Sequence, residues 1–522
     1  MTWANSLAML FVMKSVFCLL LLLPVLSMAA SPIDVGSRRE LFVDDHLIQE
    51  LEGDIALRLN HPTPREIAIV HDAAWEGTGS GYHSIFKDGD RYRMYYKAMQ
   101  LEFPDGKLDT EIHPRFCCYA ESDDGIIWRK PNLGLHEFNG SKENNITITS
   151  DPIEGLNVDA AHTAIFKDAN PNTPTNAQYK AILRSRTPNG LIVLKSADGL
   201  SWSPFLPQPI LRLKGAFDSQ NLAFWDPVNG YYRAYWRTSP EGVINDTEWK
   251  PKGMRSVRTG TSNDLEKWEN LVDLTYEGSP PQEMYTNGVF SYHRAPHILI
   301  GFPLRYIERE NEAPLKALPD PENRKLRSAA HPRYGQALSE SLFMASRNGT
   351  QFKRWDEAFN RPGPERPGTW HYGAHSLAWG LVETASHLPG APNELSLYAL
   401  ENYWHGKGSA LRRYTLRLDG FVSVSANWKG GSLLSKPIIF EGDSLELNFS
   451  TSAAGSIRVE IRDIEGKALP GFSLEDCPVY FGDSVAKTIV WNNQPDLSAH
   501  AGQPVQIYFE LKDADLYAFQ FR

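Results

Sequence analysis

Between residues 84 and 403 one order of apolar and polar positions recurs five times. A short apolar strand, a polar turn and an aromatic-rich strand follow one another in Ser84–Lys87 with Tyr92–Met99, Thr163–Lys167 with Tyr179–Arg186, and Leu222–Asp226 with Tyr231–Thr238. Gly288–Tyr292 with His297–Tyr306 and Ser376–Gly380 with Glu394–Tyr403 complete the series. Four of the pairs lead into a second signal: Ser122-Asp123-Asp124-Gly125 closing on Trp128, Ser196-Ala197-Asp198-Gly199 closing on Trp202, Ser262-Asn263-Asp264-Leu265 closing on Trp268, and Ser346-Arg347-Asn348-Gly349 closing on Phe352. Asp or Asn before Gly between apolar runs marks a hairpin, and the closing aromatic packs back onto the turn. No segment carries a long apolar stripe at helical period, so helices should be few. Five repeats of roughly 65–85 residues and about four strands each predict an all-β, five-bladed β-propeller. The early strand Arg39–Leu47 is expected to pair with the last blade and remove the open edges.

After about residue 410 the pattern changes. Arg412–Arg417, Ser444–Ser450, Ser456–Ile461, Ala486–Trp491 and Val505–Leu511 alternate apolar and polar residues between Gly/Asp turns, which predicts a β-sandwich over 410–522. It holds no cluster of candidate catalytic groups and reads as a packing or carbohydrate-contacting module, with packing favoured. At the other end, Val16–Leu26 is almost unbroken apolar sequence before Ser27-Met28-Ala29-Ala30, with Lys14 the only charge ahead of it. That is the pattern of a signal peptide over 1–29. Translation starting at Met13 would give it an ordinary short leader. The propeller then spans 30–409, and the mature chain is expected to be exported, periplasmic or extracellular, with no membrane contact after cleavage. The composition is ordinary for a globular chain of 522 residues: 42% hydrophobic, 22% charged, net charge −10. An acidic chain without a basic block is not built for nucleic acid. Cys117, Cys118 and Cys477 remain in the mature chain, and their spacing fits neither a disulfide framework nor a zinc site.

The five first strands align on Phe86, Phe166, Phe224, Phe290 and Trp379. Six or seven residues upstream stand Gly79, Asp159, Asp218, Glu283 and Tyr372; three or four upstream stand Tyr82, His162, Asn221, Asn287 and His375. Glu76 and His371 lie slightly further out, and Trp370 flanks an entry. In a propeller these positions converge on the axis at one face, where a purely structural repeat would favour small or apolar residues. Carboxylates from successive blades suit glycosidic-bond cleavage, which needs an acid for the leaving oxygen and a carboxylate as base or nucleophile. Glu283, with the longer reach, is cast as acid, Asp218 as base or nucleophile, and Asp159 as a modulator that raises the acid's pKa. Glu76 is a replacement for any of them. Tyr82, His162, Asn221, Asn287, His371, His375 and Trp370 are expected to contact sugar. The histidines are read as hydrogen-bonding groups rather than metal ligands, and no cofactor is expected. Arg237 and Arg305, at strand-two ends on the same face, are expected to hold an anionic group of a carbohydrate substrate. The long, charged, proline-containing connection from Ile307 to about Ser339 is expected to form a lid-like rim.

Leu41-Phe42-Val43-Asp44-Asp45, Ser122–Trp128, Lys130-Pro131-Asn132-Leu133-Gly134 and Asp218-Ser219-Gln220-Asn221 resemble exported bacterial proteins related to glycoside hydrolase families 32 and 43. The resemblance spans the whole mature chain and implies a five-bladed propeller with three axial carboxylates. The Trp-Met-Asn-Asp-Pro and Arg-Asp-Pro motifs of family 32 are absent. The function expected is therefore an exported glycoside hydrolase. The alternatives are a non-catalytic glycan-binding propeller and a sialidase-like hydrolase.

Overall fold

The computed structural model describes residues 31–522, apart from 213–214, 245–248, 407 and 493–495. The expected signal peptide lies outside the described residues. The chain is nearly all β. Among the described residues the α-helices are Ala313–Lys316, Pro321–Ala330 and Pro332–Gln336, all within one insertion.

Five sheets, built mainly of antiparallel strands, follow in chain order. The first is Gly81–Asp88, Arg91–Ala98, Phe116–Ser122 and Ile146–Thr149. The second is Asp159–Lys167, Tyr179–Arg186 and Asn189–Ser196 with two short outer strands, and the third is Leu222–Asp226, Tyr231–Thr238, Ser256–Ser262 and Glu269–Asp273. The fourth centres on Ala295–Gly301, Leu304–Glu308, Ala337–Ser346 and Gln351–Asn360; the fifth is Val382–Thr384, Glu394–Glu401, Ala410–Arg417 and Thr63–Val70. The aligned aromatics Phe86, Phe166, Phe224, Phe290 and Trp379 all line one cavity of about 570 Å³. Equivalent positions of the five sheets thus meet at one place. The first strands are also tied to one another: Trp379 N donates to His83 O (2.8 Å), Ile165 N to Ser84 Oγ (3.2 Å) and Trp379 Nε1 to Val289 O (2.9 Å).

The strand that completes the fifth sheet is Thr63–Val70, not Arg39–Leu47. Arg39–Leu41 pairs instead with Gln506–Phe521. The reason lies in the residues. Leu41, Phe42 and Val43 are consecutive apolar side chains, each at most 1% exposed, and such a run needs cover on both faces. It finds this between the fourth sheet and the C-terminal sheet. Thr63–Val70 keeps a polar side, and Arg65 and Glu66 bond to Thr415 and Arg413 across the pair. Ala410–Arg417 therefore belongs to the fifth sheet, and the boundary expected at 409/410 runs through a hairpin with Glu394–Glu401.

The four turn motifs are built alike. Asp124 Oδ1 accepts from Ile126 N (2.7 Å) and Ile127 N (2.9 Å), and Asp198, Asp264 and Asn348 repeat both bonds in their own turns. Beyond the five sheets, Val422–Ser435, Leu445–Arg462, Asp483–Ile489 and Gln506–Phe521 form a six-stranded sheet with the N-terminal Ile48–Leu59 and Arg39–Leu41. Bulges break the long strands between Ala426 and Gly431 and between Thr451 and Ser456. Trp491 lies fully buried in its core.

Candidate active site

Asp218 precedes the first strand of the third sheet, and Arg237 stands near the end of the second. Asn221 is buried and fixes the two segments together: its amide donates to Phe217 O (3.0 Å) and Ser219 O (2.8 Å), and its oxygen accepts from Arg237 N (3.2 Å). Arg237 then pairs with Asp218 Oδ1 and donates to Ala216 O (3.2 Å). Burial works against the charged form of Asp218, but Arg237 first, then His162 and Arg184, outweigh it and hold the carboxyl below its usual range.

A second pair joins the third and fourth sheets. Glu283–Tyr285 runs extended beside Leu304–Glu308: Tyr285 N donates to Leu304 O (2.8 Å) and Tyr306 N to Glu283 O (3.1 Å). Extended backbone turns residues 283 and 285 to one side. Glu283 Oε2 accepts from Arg255 Nη1 (2.6 Å), and both guanidiniums lie over the Tyr285 ring, Arg237 at 5.0 Å and Arg255 at 5.5 Å. Asp218, Arg237, Arg255, Tyr285, Tyr306, Arg333 and Tyr372 line one cavity of about 290 Å³. Arg333 comes from the helix Pro332–Gln336 that ends the insertion. No carboxylate among the described residues pairs with its guanidinium, which donates to Tyr334 Oη (3.3 Å).

Asp159 does not line this cavity, though His162 and Arg184 act on it as well as on Asp218. Its Oδ2 accepts from Arg186 Nε (2.9 Å) and stands 3.0 Å from His162 Nδ1, while Oδ1 is buried without a partner. Burial opposes its charge, but His162, Arg115 and Arg184 hold the carboxyl down at about 2. Tyr82 takes a left-handed backbone (φ 51°), its carbonyl accepts from Gln220 (2.9 Å), and Lys97 Nζ sits 4.3 Å above its ring. Burial brings Lys97 down to about 8.

The expected mutual repulsion of carboxylates does not govern the site, because each has its own cation. Glu76 is not at the cavity. It is fully buried, Oε1 accepts from Tyr96 Oη (2.6 Å), and Oε2 accepts from Lys130 Nζ and Ala73 N (both 2.8 Å). Arg305 faces away: it stands opposite Glu340 across the strand pair and binds it, while the next residue, Tyr306, reaches the cavity. A one-residue offset in a strand selects the other face. Asn287 is also a scaffold residue, bonding Tyr235 O (3.4 Å) and Val289 N (3.1 Å). His371 is buried between Arg327 and the Tyr372 carbonyl, and burial holds it neutral. His375 is buried too, at about 4, with neither ring nitrogen bonded. Trp370 donates to Gly363 O (2.9 Å) and does not line the cavity. The repeat alignment missed Arg255 and Arg333, since both lie in connections outside the repeat. The charge runs flanking them were the only signal.

No protein-family model matches the sequence, and no curated protein matches it. Among solved structures, an endo-arabinase from Bacteroides thetaiotaomicron VPI-5482 is similar at 9% identity and TM-score 0.38, covering 67% of this chain and 98% of its own. A glycoside hydrolase family 43 arabinoxylan arabinofuranohydrolase from Bacillus subtilis is similar at 12% identity and TM-score 0.30, covering 86% and 96%. A fructofuranosidase from Schwanniomyces occidentalis, complexed with fructosylnystose, is similar at 9% identity and TM-score 0.34, covering 94% and 99%. Residue roles in this chain therefore rest on its own site.

Proposed function

We propose that the protein is an exported glycosidase acting on an anionic carbohydrate, with the five sheets as blades of a five-bladed β-propeller and the C-terminal strands as a β-sandwich packed beside it. One observation carries this reading. Asp218 lines the cavity and Glu283, from the neighbouring sheet, binds the cavity-lining Arg255; each has one oxygen held by an arginine and no partner for the other among the described residues. Their side chains are 38% and 32% exposed, unlike the fully enclosed Glu76. Glycosidic cleavage needs two such carboxylates, one to give a proton and one to act as base or nucleophile. Asp218, held ionised, is the base or nucleophile.

Glu283 is the acid, and a uronate or sulfate oxygen of the substrate binds Arg255 and Arg333. Planar guanidiniums match carboxylate and sulfate oxygens, and Arg333 has no other acid to neutralise among the described residues. Glu283→Gln and Asp218→Asn should each lower turnover about 10²–10⁴-fold with unchanged thermal melts, in a screen of aryl glycosides and oligosaccharides. Full activity in either folded variant would overturn the assignments. Glycan binding without turnover in the wild-type protein would leave a binding propeller.

A further inference from the structure

Tyr285 occupies a position that a structural tyrosine does not need. Its ring lies under two guanidiniums of the neighbouring third sheet, Arg237 in the second strand and Arg255 just before the third. Its hydroxyl accepts from Tyr372 Oη (2.8 Å), and it lines the same cavity as Asp218. Ser219, the residue after Asp218, donates to the Tyr285 carbonyl (2.8 Å), which locks the Asp218 turn to this backbone. The neighbouring tyrosines behave differently. Burial pushes the Tyr372 and Tyr82 hydroxyls well above the usual phenol range. Burial works the same way on Tyr285, but Arg237 leads the opposing influences and brings it below that range. Cations next to a phenol stabilise its phenolate, and a hydroxyl donating to the oxygen does the same.

We infer that Tyr285 Oη is the nucleophile of this site, with Asp218 as the base that takes its proton. This rests on the glycosidase reading and decides which atom attacks. In the first step the Tyr285 Oη–anomeric carbon bond forms and the bond from that carbon to the leaving oxygen breaks. The electron pair stays on the leaving oxygen, which takes the proton of Glu283, while the phenol proton passes to Asp218. In the second step water attacks the anomeric carbon and gives a proton to Glu283. The Tyr285 Oη–carbon bond breaks, its electron pair returns to Oη, and Oη recovers the proton from Asp218. Two displacements at one carbon retain its configuration. The arginine above each carboxylate also faces the phenolate, so the charge transferred in either step stays between the same two cations.

The test is covalent trapping. The purified protein is incubated with a panel of 2-deoxy-2-fluoroglycosyl fluorides, uronic and neutral, then digested and mapped by mass spectrometry. In parallel the anomer formed from a substrate found in the screen is followed by NMR. The expected result is a glycosyl adduct on the peptide carrying Tyr285 and a retained anomer. Tyr285→Phe should lose at least about a thousandfold in turnover. Tyr372→Phe, which removes the same hydrogen bond from the other side, should lose no more than about tenfold. An adduct on Asp218, an inverted anomer, or equal losses in the two tyrosine variants would overturn the proposal while leaving a glycosidase. A wild-type protein that neither turns over any glycoside nor takes any label would overturn the glycosidase reading itself, and the nucleophile with it.

Discussion

Glu76 is fully buried, and its two oxygens are shared among Tyr96, Lys130 and a backbone N–H, with His71 close by at 3.5 Å. Burial alone would raise its pKa, but His71 first and then Lys130 bring it from 4.5 to about 2. A folded value below the unfolded one stabilises the native state above about pH 4.5, and that stabilisation is lost as pH falls toward 2. The difference corresponds to about 3 kcal/mol. Glu76→Gln should therefore lower unfolding stability by about that amount at pH 6 and flatten the decline between pH 6 and 3 in denaturant titrations. A variant with the wild-type pH dependence would contradict this. Cys117 is buried and pushed up to about 12 by burial. A thiol reagent should leave it unmodified in the native protein and react only after unfolding; rapid labelling of the native protein would show the account of this core to be wrong. Glu76 lies close enough to the aligned repeat position of Gly79 to read as catalytic. What separates it from Asp218 is Lys130 and Tyr96, brought in by sheet pairing, and local sequence does not show pairing partners.

At the scale of elements, the insertion between Glu308 and Ala337 is a fixed wall rather than a hinged cover. Arg324 donates to Gly335 O and Trp370 O (both 2.9 Å), and Arg327 bonds the carbonyl of Tyr403 and lies 3.5 Å from that of Tyr372. Asp320 accepts from Gly368 N (2.7 Å). Arg327 faces carbonyls instead of a carboxylate, and burial brings it down to about 9. These bonds place the helix Pro332–Gln336 and so set Arg333 in the cavity. Arg327→Met leaves buried carbonyls unpaired, at about 1–3 kcal/mol. It should make residues 309–336 the first site of limited proteolysis, while the wild-type insertion resists. Equal cleavage in both proteins would mean that the insertion is not held this way. The length and charge of this segment were legible in the sequence, as were the strand pairs, the aspartate turns and the alignment on five aromatics. The closing strand was not. Alternation shows how many faces of Arg39–Leu47 or Thr63–Val70 are buried, and only the tertiary arrangement decides against which sheet. The turn at Leu265 shows the same limit: it takes the left-handed backbone of its glycine counterparts (φ 65°), and its side chain is fully buried in the core, which offsets the strain.

Across the whole molecule, Asp419 joins the parts that the sequence separates. It is fully buried and accepts from Tyr292 and Arg294 of the fourth sheet, Arg39 of the N-terminal segment and Asn448 of the C-terminal sheet. On the proposed reading the site faces the opposite problem, since an acidic chain would have to admit an anion. With Arg237 and Arg255 paired to Asp218 and Glu283, Arg333 leaves the cavity a local charge opposite to the chain's net −10, and low-dielectric walls concentrate such a field. The central claim is that this cavity cleaves an anionic glycan by the Asp218–Arg237 and Glu283–Arg255 pairs. The most direct measurement is kcat/KM of the purified mature protein on matched anionic and neutral oligosaccharides at low and high salt, with Arg333→Ala alongside. The account predicts preference for the anionic member by at least about tenfold at low salt, weakened by added salt and largely lost in Arg333→Ala. An active enzyme that prefers the neutral member, with no response to salt or to Arg333→Ala, would contradict it.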